Sequence, residues 1–113
     1  MVSIKNNVIR ITQGDTLRTP VVFYTEPGVP YVPSEGDVIR FALKSTKNVT
    51  DTDVLINIEI PTDTMILTIP AEETKKVVAR NRAYFYDVEV QFANGDVLTF
   101  IPNGEYYSEP EVV

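Results

Sequence analysis

Ala83-Tyr-Phe-Tyr-Asp-Val-Glu-Val-Gln-Phe92, with Asn94-Gly95 and then Asp96 to Ile101 behind it, is the stretch on which the reading of this chain turns. Its even positions, Tyr84, Tyr86, Val88, Val90 and Phe92, are all apolar and stand opposite Phe85, Asp87, Glu89 and Gln91. Successive side chains of a strand point to opposite faces, so this period of two describes a strand with one buried face, here a central one. Asn94-Gly95 suits the positive φ angles of a type I′ turn, which makes Asp96 to Ile101 the expected hairpin partner.

The same grammar extends outward. Asn7 to Gln13 alternates with Ile9 and Ile11 on one face and Arg10 and Thr12 on the other. Thr16 to Thr25 places Leu17, Val21 and Phe23 together, although Pro20 cannot donate a ladder hydrogen bond and marks an edge or a bulge. Glu26 to Gly36, with three prolines, two glycines and Pro27-Gly28, reads as an irregular loop with a tight turn. Asp37 to Ser45 buries Ile39, Phe41 and Leu43, and Lys47 to Asp53 is a polar loop. Val54 to Ile60 alternates and, after Pro61-Thr-Asp63, is expected to pair as a hairpin with the strand carrying Met65, Leu67 and Ile69.

Pro70 at a first helical position, Glu72 and Glu73 behind it, then Lys75 and Lys76, give the one helical signal, a crossover of two turns at most. Pro102-Asn103-Gly104 reads as a turn before a last short strand, Glu105 to Glu109. The expectation is an all-β fold over 1–113: one domain of about seven to nine antiparallel strands with at most one short helical crossover, as a β-sandwich or small barrel, the alternation favouring two packed sheets.

Composition narrows function. With 113 residues the chain can bury one core without staples. It has no cysteine and no histidine, which excludes disulfides, thiolate metal sites, thiol nucleophiles and the usual neutral-pH general base. Sixteen acidic residues against ten basic give a net charge of −6, opposed to nucleic acid and to anionic membrane as partners. Met1 to Asn7 lacks the apolar run of a signal peptide, so synthesis and retention in the cytoplasm are expected unless the chain leaves as part of a particle.

No spacing selects a catalytic pair among the carboxylates. Asp87 and Glu89 share an outward face and read as solvated. Thr50-Asp51-Thr52-Asp53 lacks the glycine and terminal glutamate of a helix-loop-helix calcium site, and Asn48-Val49-Thr50 is a chance glycosylation pattern. No enzyme activity, cofactor or metal is expected.

Six tyrosines and five phenylalanines without tryptophan are the more informative class. Tyr84 or Tyr86 sits where a sandwich uses a tyrosine corner. Phe85 falls on the polar side of its strand, so it packs under a loop or meets a partner. Tyr106 and Tyr107 are consecutive in an extended segment, so one must point outward. The first and last strands, the first carrying Ile9 and Arg10, are expected edges open to strand addition. Tyr24, Tyr31 and Tyr107 are the outward aromatics that a glycan-binding or adhesin-type module would stack on sugar, the alternative to protein docking.

Two blocks carry a resemblance. One is Ile11-Thr-Gln-Gly-Asp-Thr16, the Gly28-Val-Pro30 turn and Gly36-Asp-Val-Ile-Arg-Phe-Ala-Leu-Lys44. The other is Tyr84-Phe-Tyr-Asp-Val-Glu-Val90, Asn94-Gly-Asp-Val-Leu-Thr99, Gly104 and Glu109-Pro-Glu-Val112. Together they resemble small tail-associated domains of phages and prophages of Gram-positive bacteria, similar to the N-terminal domain of upper baseplate proteins. The resemblance implies an immunoglobulin-like sandwich and a virion building block. It also implies docking to other tail or baseplate proteins, often as a symmetric homo-oligomer, and no catalytic residues. Those relatives continue into receptor-facing regions, so an adaptor role is expected here.

Overall fold

The computed structural model describes residues 2–5, 7–47 and 54–111. The Asn48-Val49-Thr50 pattern and the Thr50 to Asp53 oxygens lie outside the described residues. The described chain forms β1 (Val2–Lys5), β2 (Val8–Thr12), β3 (Leu17–Pro20), β4 (Tyr24–Glu26), β5 (Val29–Pro30) and β6 (Val38–Lys44). It continues with β7 (Val54–Ile60), β8 (Ile66–Ile69), α1 (Ala71–Thr74), β9 (Tyr84–Gln91) and β10 (Val97–Glu109). The fold is all-β, as the periodicity requires.

A six-stranded sheet runs in the order β1-β2-β10-β9-β6-β7, with β3-β8 and β4-β5 as separate two-stranded units. Leu17 of β3 and Leu67 and Ile69 of β8 share one buried cluster with Ile9, Ile11, Ile39, Phe41, Leu43, Ile56, Ile60, Val88 and Val90 of the large sheet. The small pair therefore covers the apolar face that alternation creates on the large one. Burying each such side chain is worth roughly 1.5–3 kcal/mol relative to exposure. β9 is central as expected, flanked by β10 and β6.

Several expectations change, each for a local reason. β2 and β10 pair in parallel, Tyr106 opposite Ile9, so the large sheet is mixed rather than wholly antiparallel. Neither the strand of Ile9 nor that of Tyr106 is an edge, because β1 pairs along β2 and β10 lies between β2 and β9. β7 pairs with β6, while β8 pairs with β3, so the expected hairpin between β7 and β8 does not form. At their junction Met65 takes φ 52° and its N–H donates to the Pro61 carbonyl at 2.9 Å, a turn that carries the chain out of one sheet and into the other layer. Ile56 and Ile60 then share the core with Leu67 and Ile69 across the layers instead of along one face.

The Asn94-Gly95 connection is tight but not type I′. Only Gly95 has positive φ, at 93°; its N–H donates to Phe92 O at 2.9 Å, and the Phe92 N–H donates to Asp96 O at 2.8 Å. This is the three-residue loop in which a type I turn is followed by a left-handed glycine. Glu26 to Gly36, read as irregular, contains the β4-β5 hairpin around Pro27-Gly28. α1 is one turn with Pro70 at its N-cap rather than its first position.

Pro102-Asn103-Gly104 does not end a strand. β10 runs through it with register shifts between Thr99 and Ile101 and between Ile101 and Gly104. A bulge tolerates a proline without an N–H, and Asn103, at φ 52°, donates its N–H to Asp87 Oδ1 at 2.7 Å. The shift sets Gly104 opposite Tyr86. A Cβ on Gly104 would lie 2.5 Å from Cζ and 2.6 Å from Cε1 of Tyr86. That ring stacks on Phe41 with centroids 5.1 Å apart, and its hydroxyl donates to Asn7 O at 2.8 Å, so it has nowhere to withdraw. Burial pushes the Tyr86 phenol up to about 12.

Two predictions follow from these contacts. Gly104→Ala should destabilise the fold by about 1–3 kcal/mol, the usual cost of overpacking, read from denaturant midpoints. The second concerns Asp37, whose Oδ2 accepts the Tyr31 hydroxyl at 2.6 Å and the Ser34 N–H at 3.0 Å. The Tyr31 bond, then the Ser34 and Ala93 N–H groups, hold its carboxyl below the ordinary value of 3.8. A depressed folded pKa adds stability that is present above the unfolded value and is lost as pH falls through the folded one. Asp37→Asn should flatten the acid limb of the stability–pH curve below about pH 4 while leaving the slope near neutrality unchanged.

Candidate interaction surface

The crossover from α1 to β9 is tied down along its length, and this positions the outer face beside it. The Thr74 hydroxyl donates to Asp15 O at 2.6 Å, and Gln13 Nε2 to Lys75 O at 2.8 Å. Ser108 Oγ donates to Val77 O at 2.7 Å, and Tyr84 Oη to Val78 O at 2.5 Å. The last bond has the form expected of a tyrosine corner, the hydroxyl returning to backbone six residues upstream. Arg80 acts as a buckle: its guanidinium lies 3.6 Å from the Tyr84 ring centroid and donates to Ser45 O at 2.6 Å and Ala83 O at 2.7 Å.

On the outer face of the large sheet, next to that buckle, strand register gathers side chains from four elements. Phe85 stands opposite Glu105 on β10 and Lys44 on β6, while Tyr107 stands opposite Arg10 on β2. The Arg10 guanidinium lies 4.1 Å from the Tyr107 ring centroid, and Lys47 Nζ 5.1 Å from that of Phe85. Tyr107 donates its hydroxyl to Glu105 Oε2 at 3.0 Å, which raises the phenol pKa by stabilising its protonated form. Arg80, Arg82, Phe85, Glu105 and Tyr107 border a shallow concavity of about 390 Å³. Among the described residues, Arg10, Lys47 and Arg82 have no carboxylate in ion-pair contact.

Beside it, Lys44 Nζ lies 2.7 Å from Asp87 Oδ2, and the other Asp87 oxygen accepts the Asn103 N–H. Both Asp87 oxygens are thus engaged structurally, and Glu89 stands exposed two residues away. The hollow between the layers, about 200 Å³ and lined by Phe41, Ile60, Leu67 and Val88 among others, is mainly apolar. Its tyrosine hydroxyl, that of Tyr86, is already bonded to Asn7. Among the described residues no cluster of three or more acidic side chains is arranged to hold a metal, and no helix is long and apolar enough to cross a membrane.

Of the residues singled out in the sequence, the structure brings Arg10, Phe85 and Tyr107 together. Tyr24 is 55% exposed but lies apart on the β4-β5 hairpin. Three are corrected to core positions. Ile9 is 2% exposed because its alternation faces inward and β1 covers the edge that made it a contact candidate. Tyr31 is 8% exposed, its hydroxyl on Asp37 and its ring 5.0 Å from that of Phe100. Tyr106 is fully buried, since its register with Tyr84 and Ile9 settles which of the two adjacent tyrosines points in. Sequence reasoning missed Lys47 and Arg82, which only the folded loops bring to Phe85; their signal was their place just beyond the ends of strands with outward Lys44 and Phe85.

Comparison with known protein families, with curated proteins and with solved structures finds no match for this chain.

The tyrosines of the core differ in one testable respect. Tyr84 Oη is hydrogen-bonded, whereas Tyr106 Oη is buried without a partner among the described residues and its phenol pKa is raised by desolvation. Tyr84→Phe should cost about 1 kcal/mol, while Tyr106→Phe should leave stability unchanged or raise it by up to about 1 kcal/mol, measured by equilibrium unfolding.

Proposed function

We propose that this chain is a non-catalytic docking module of a phage or prophage tail or baseplate, and that it meets an acidic surface of another virion protein through the Arg10, Phe85 and Tyr107 face. One observation carries the docking reading: three cations without ion-pair partners among the described residues surround two half-buried aromatic rings in a chain whose net charge is −6. Cations placed against the overall sign of a protein steer a complementary partner, and aromatic side chains at the centre of a contact supply much of its affinity. The tail assignment rests on the two sequence blocks resembling baseplate-associated domains. The glycan-binding alternative is weaker on this geometry. Tyr31 is in the core and Arg10 lies over the Tyr107 ring, which leaves Tyr24 as the open one among the three tyrosines offered to sugar.

Tail or baseplate proteins encoded beside this chain, immobilised and probed with it, should bind in a salt-sensitive manner. Reversing charge with Lys47→Glu and Arg82→Glu together should weaken binding by roughly ten- to a hundredfold, and raising the salt towards about 0.5 M should have a similar effect on the unsubstituted chain. A locus without tail genes, or binding indifferent to both changes, would sink the proposal; a glycan array positive only with intact Tyr24 would favour the alternative.

A further inference from the structure

The two ends of the large sheet differ. β1 is four residues long, and a short edge strand offers little to pair with. β7 is seven residues long, Val54-Leu-Ile-Asn-Ile-Glu-Ile60, pairs with β6 alone among the described residues, and contains no proline, glycine or lysine. Its single charged residue is Glu59. Its ladder with β6 shifts register once, at Leu55 near the start of the strand, and is regular from Ile56 to Ile60, so that stretch presents a row of backbone donors and acceptors with no proline or lysine to deter pairing. Three of its apolar side chains are also incompletely covered: Leu55 on the outer face is 39% exposed, and Val54 and Ile58, the latter on the core side, are half-buried.

We propose that β7 is the seam of a two-fold symmetric dimer in which the large sheets of two copies join edge to edge. The choice of a second copy as occupant comes from the pattern of β7 itself. In an antiparallel self-pairing the only register that uses all seven residues is centred on Asn57. It sets Asn57 against Asn57, Leu55 against Glu59, Ile56 against Ile58 and Val54 against Ile60. On the core side every pair is then apolar, and the half-covered Ile58 gains the partner's Ile56. On the outer face no like charges meet, each Glu59 lies alongside a leucine, and the two axial amides can donate to one another. A shift of one residue would set the apolar face of one strand against the outer face of the other, and parallel pairing in register would oppose Glu59 to Glu59. The two-fold arrangement is isologous and closes on itself, so it yields a dimer rather than a fibre. It lies at the β7 end of the sheet and leaves the Arg10, Phe85 and Tyr107 face free, so it does not depend on the docking proposal.

Sedimentation velocity on the full chain from about 5 to about 500 µM should show a concentration-dependent dimer. Leu55→Glu places two carboxylates opposite each other at both ends of the seam, whereas Leu55→Lys places a cation opposite Glu59. The first should raise the dissociation constant by roughly tenfold or more and the second should leave it equal or lower it, with both unfolding at the midpoint expected of a tolerated surface change. The chain has no cysteine, so Asn57→Cys introduces a single thiol. Residues on the axis of an antiparallel pair have Cα atoms about 4.5–5.5 Å apart, within disulfide range. Mild oxidation should therefore link Asn57→Cys into a covalent dimer and leave Leu55→Cys unlinked. A strict monomer throughout that range, equal responses to the two charge substitutions, linking at Leu55→Cys but not at Asn57→Cys, or a monomer that instead takes a strand from a tail protein onto β7 would each overturn the proposal.

Discussion

Tyr86 lying flat across Gly104 is the contact around which the large sheet is organised. The ring occupies the space a Cβ would need, rests on Phe41 at 5.1 Å and carries its hydroxyl to the backbone of Asn7. Three strands and the chain entering β2 are thereby held by one side chain. A glycine within a strand forfeits packing of its own, and an aromatic neighbour laid over it restores what is lost. The position of that glycine depends on the bulge through Pro102 and Asn103, which Asp87 fixes from β9. With β10 kinked there, its second half lies between β9 and β2 and runs parallel to the latter.

The second layer answers a need that this sheet creates. Ile11, Ile39, Phe41, Leu43, Ile56, Ile60 and Val90 all point to one side, and a face so apolar must be covered. β3 and β8 supply the cover, and the crossover after α1 is fastened by Thr74, Gln13, Ser108 and Tyr84. Arg80 illustrates how charge is divided in this chain. It is spent on carbonyls and a ring within the fold, while Arg10, Lys47 and Arg82 are not paired with acids among the described residues. The first is engaged by carbonyls of the fold, and Arg10 and Lys47 lie over aromatic rings of the outer face, a difference that residue type alone does not reveal.

Much of the site was legible as parity. Phe85 had to leave the face of Tyr84 and Tyr86, and one of Tyr106 and Tyr107 had to leave the core. Which tyrosine it was depended on pairing with β9 and β2, a long-range matter. Ile9 and Tyr31 were misjudged because each depended on a neighbour that alternation does not disclose. For Ile9 that neighbour is β1; for Tyr31 it is the Asp37 carboxylate and the Phe100 ring. The cations beside Phe85 were missed for the same reason: their place beyond strand ends is in the sequence, but it is loop closure that brings them to the ring.

What the sequence determined by itself is the longer strands and the parity of the residues that alternate along them, because a period of two and the turn residues act over a few residues and need no partner; β1, the β4-β5 hairpin and the choice between Tyr106 and Tyr107 lay beyond that reach. Only the tertiary structure decided which strand lies beside which. The same positive-φ and proline signals served as a hairpin loop at Gly95, as a passage between layers at Met65 and as a bulge at Asn103. The choice among these outcomes was set by what lay across the core: β3 waiting for β8, and Tyr86 waiting for Gly104.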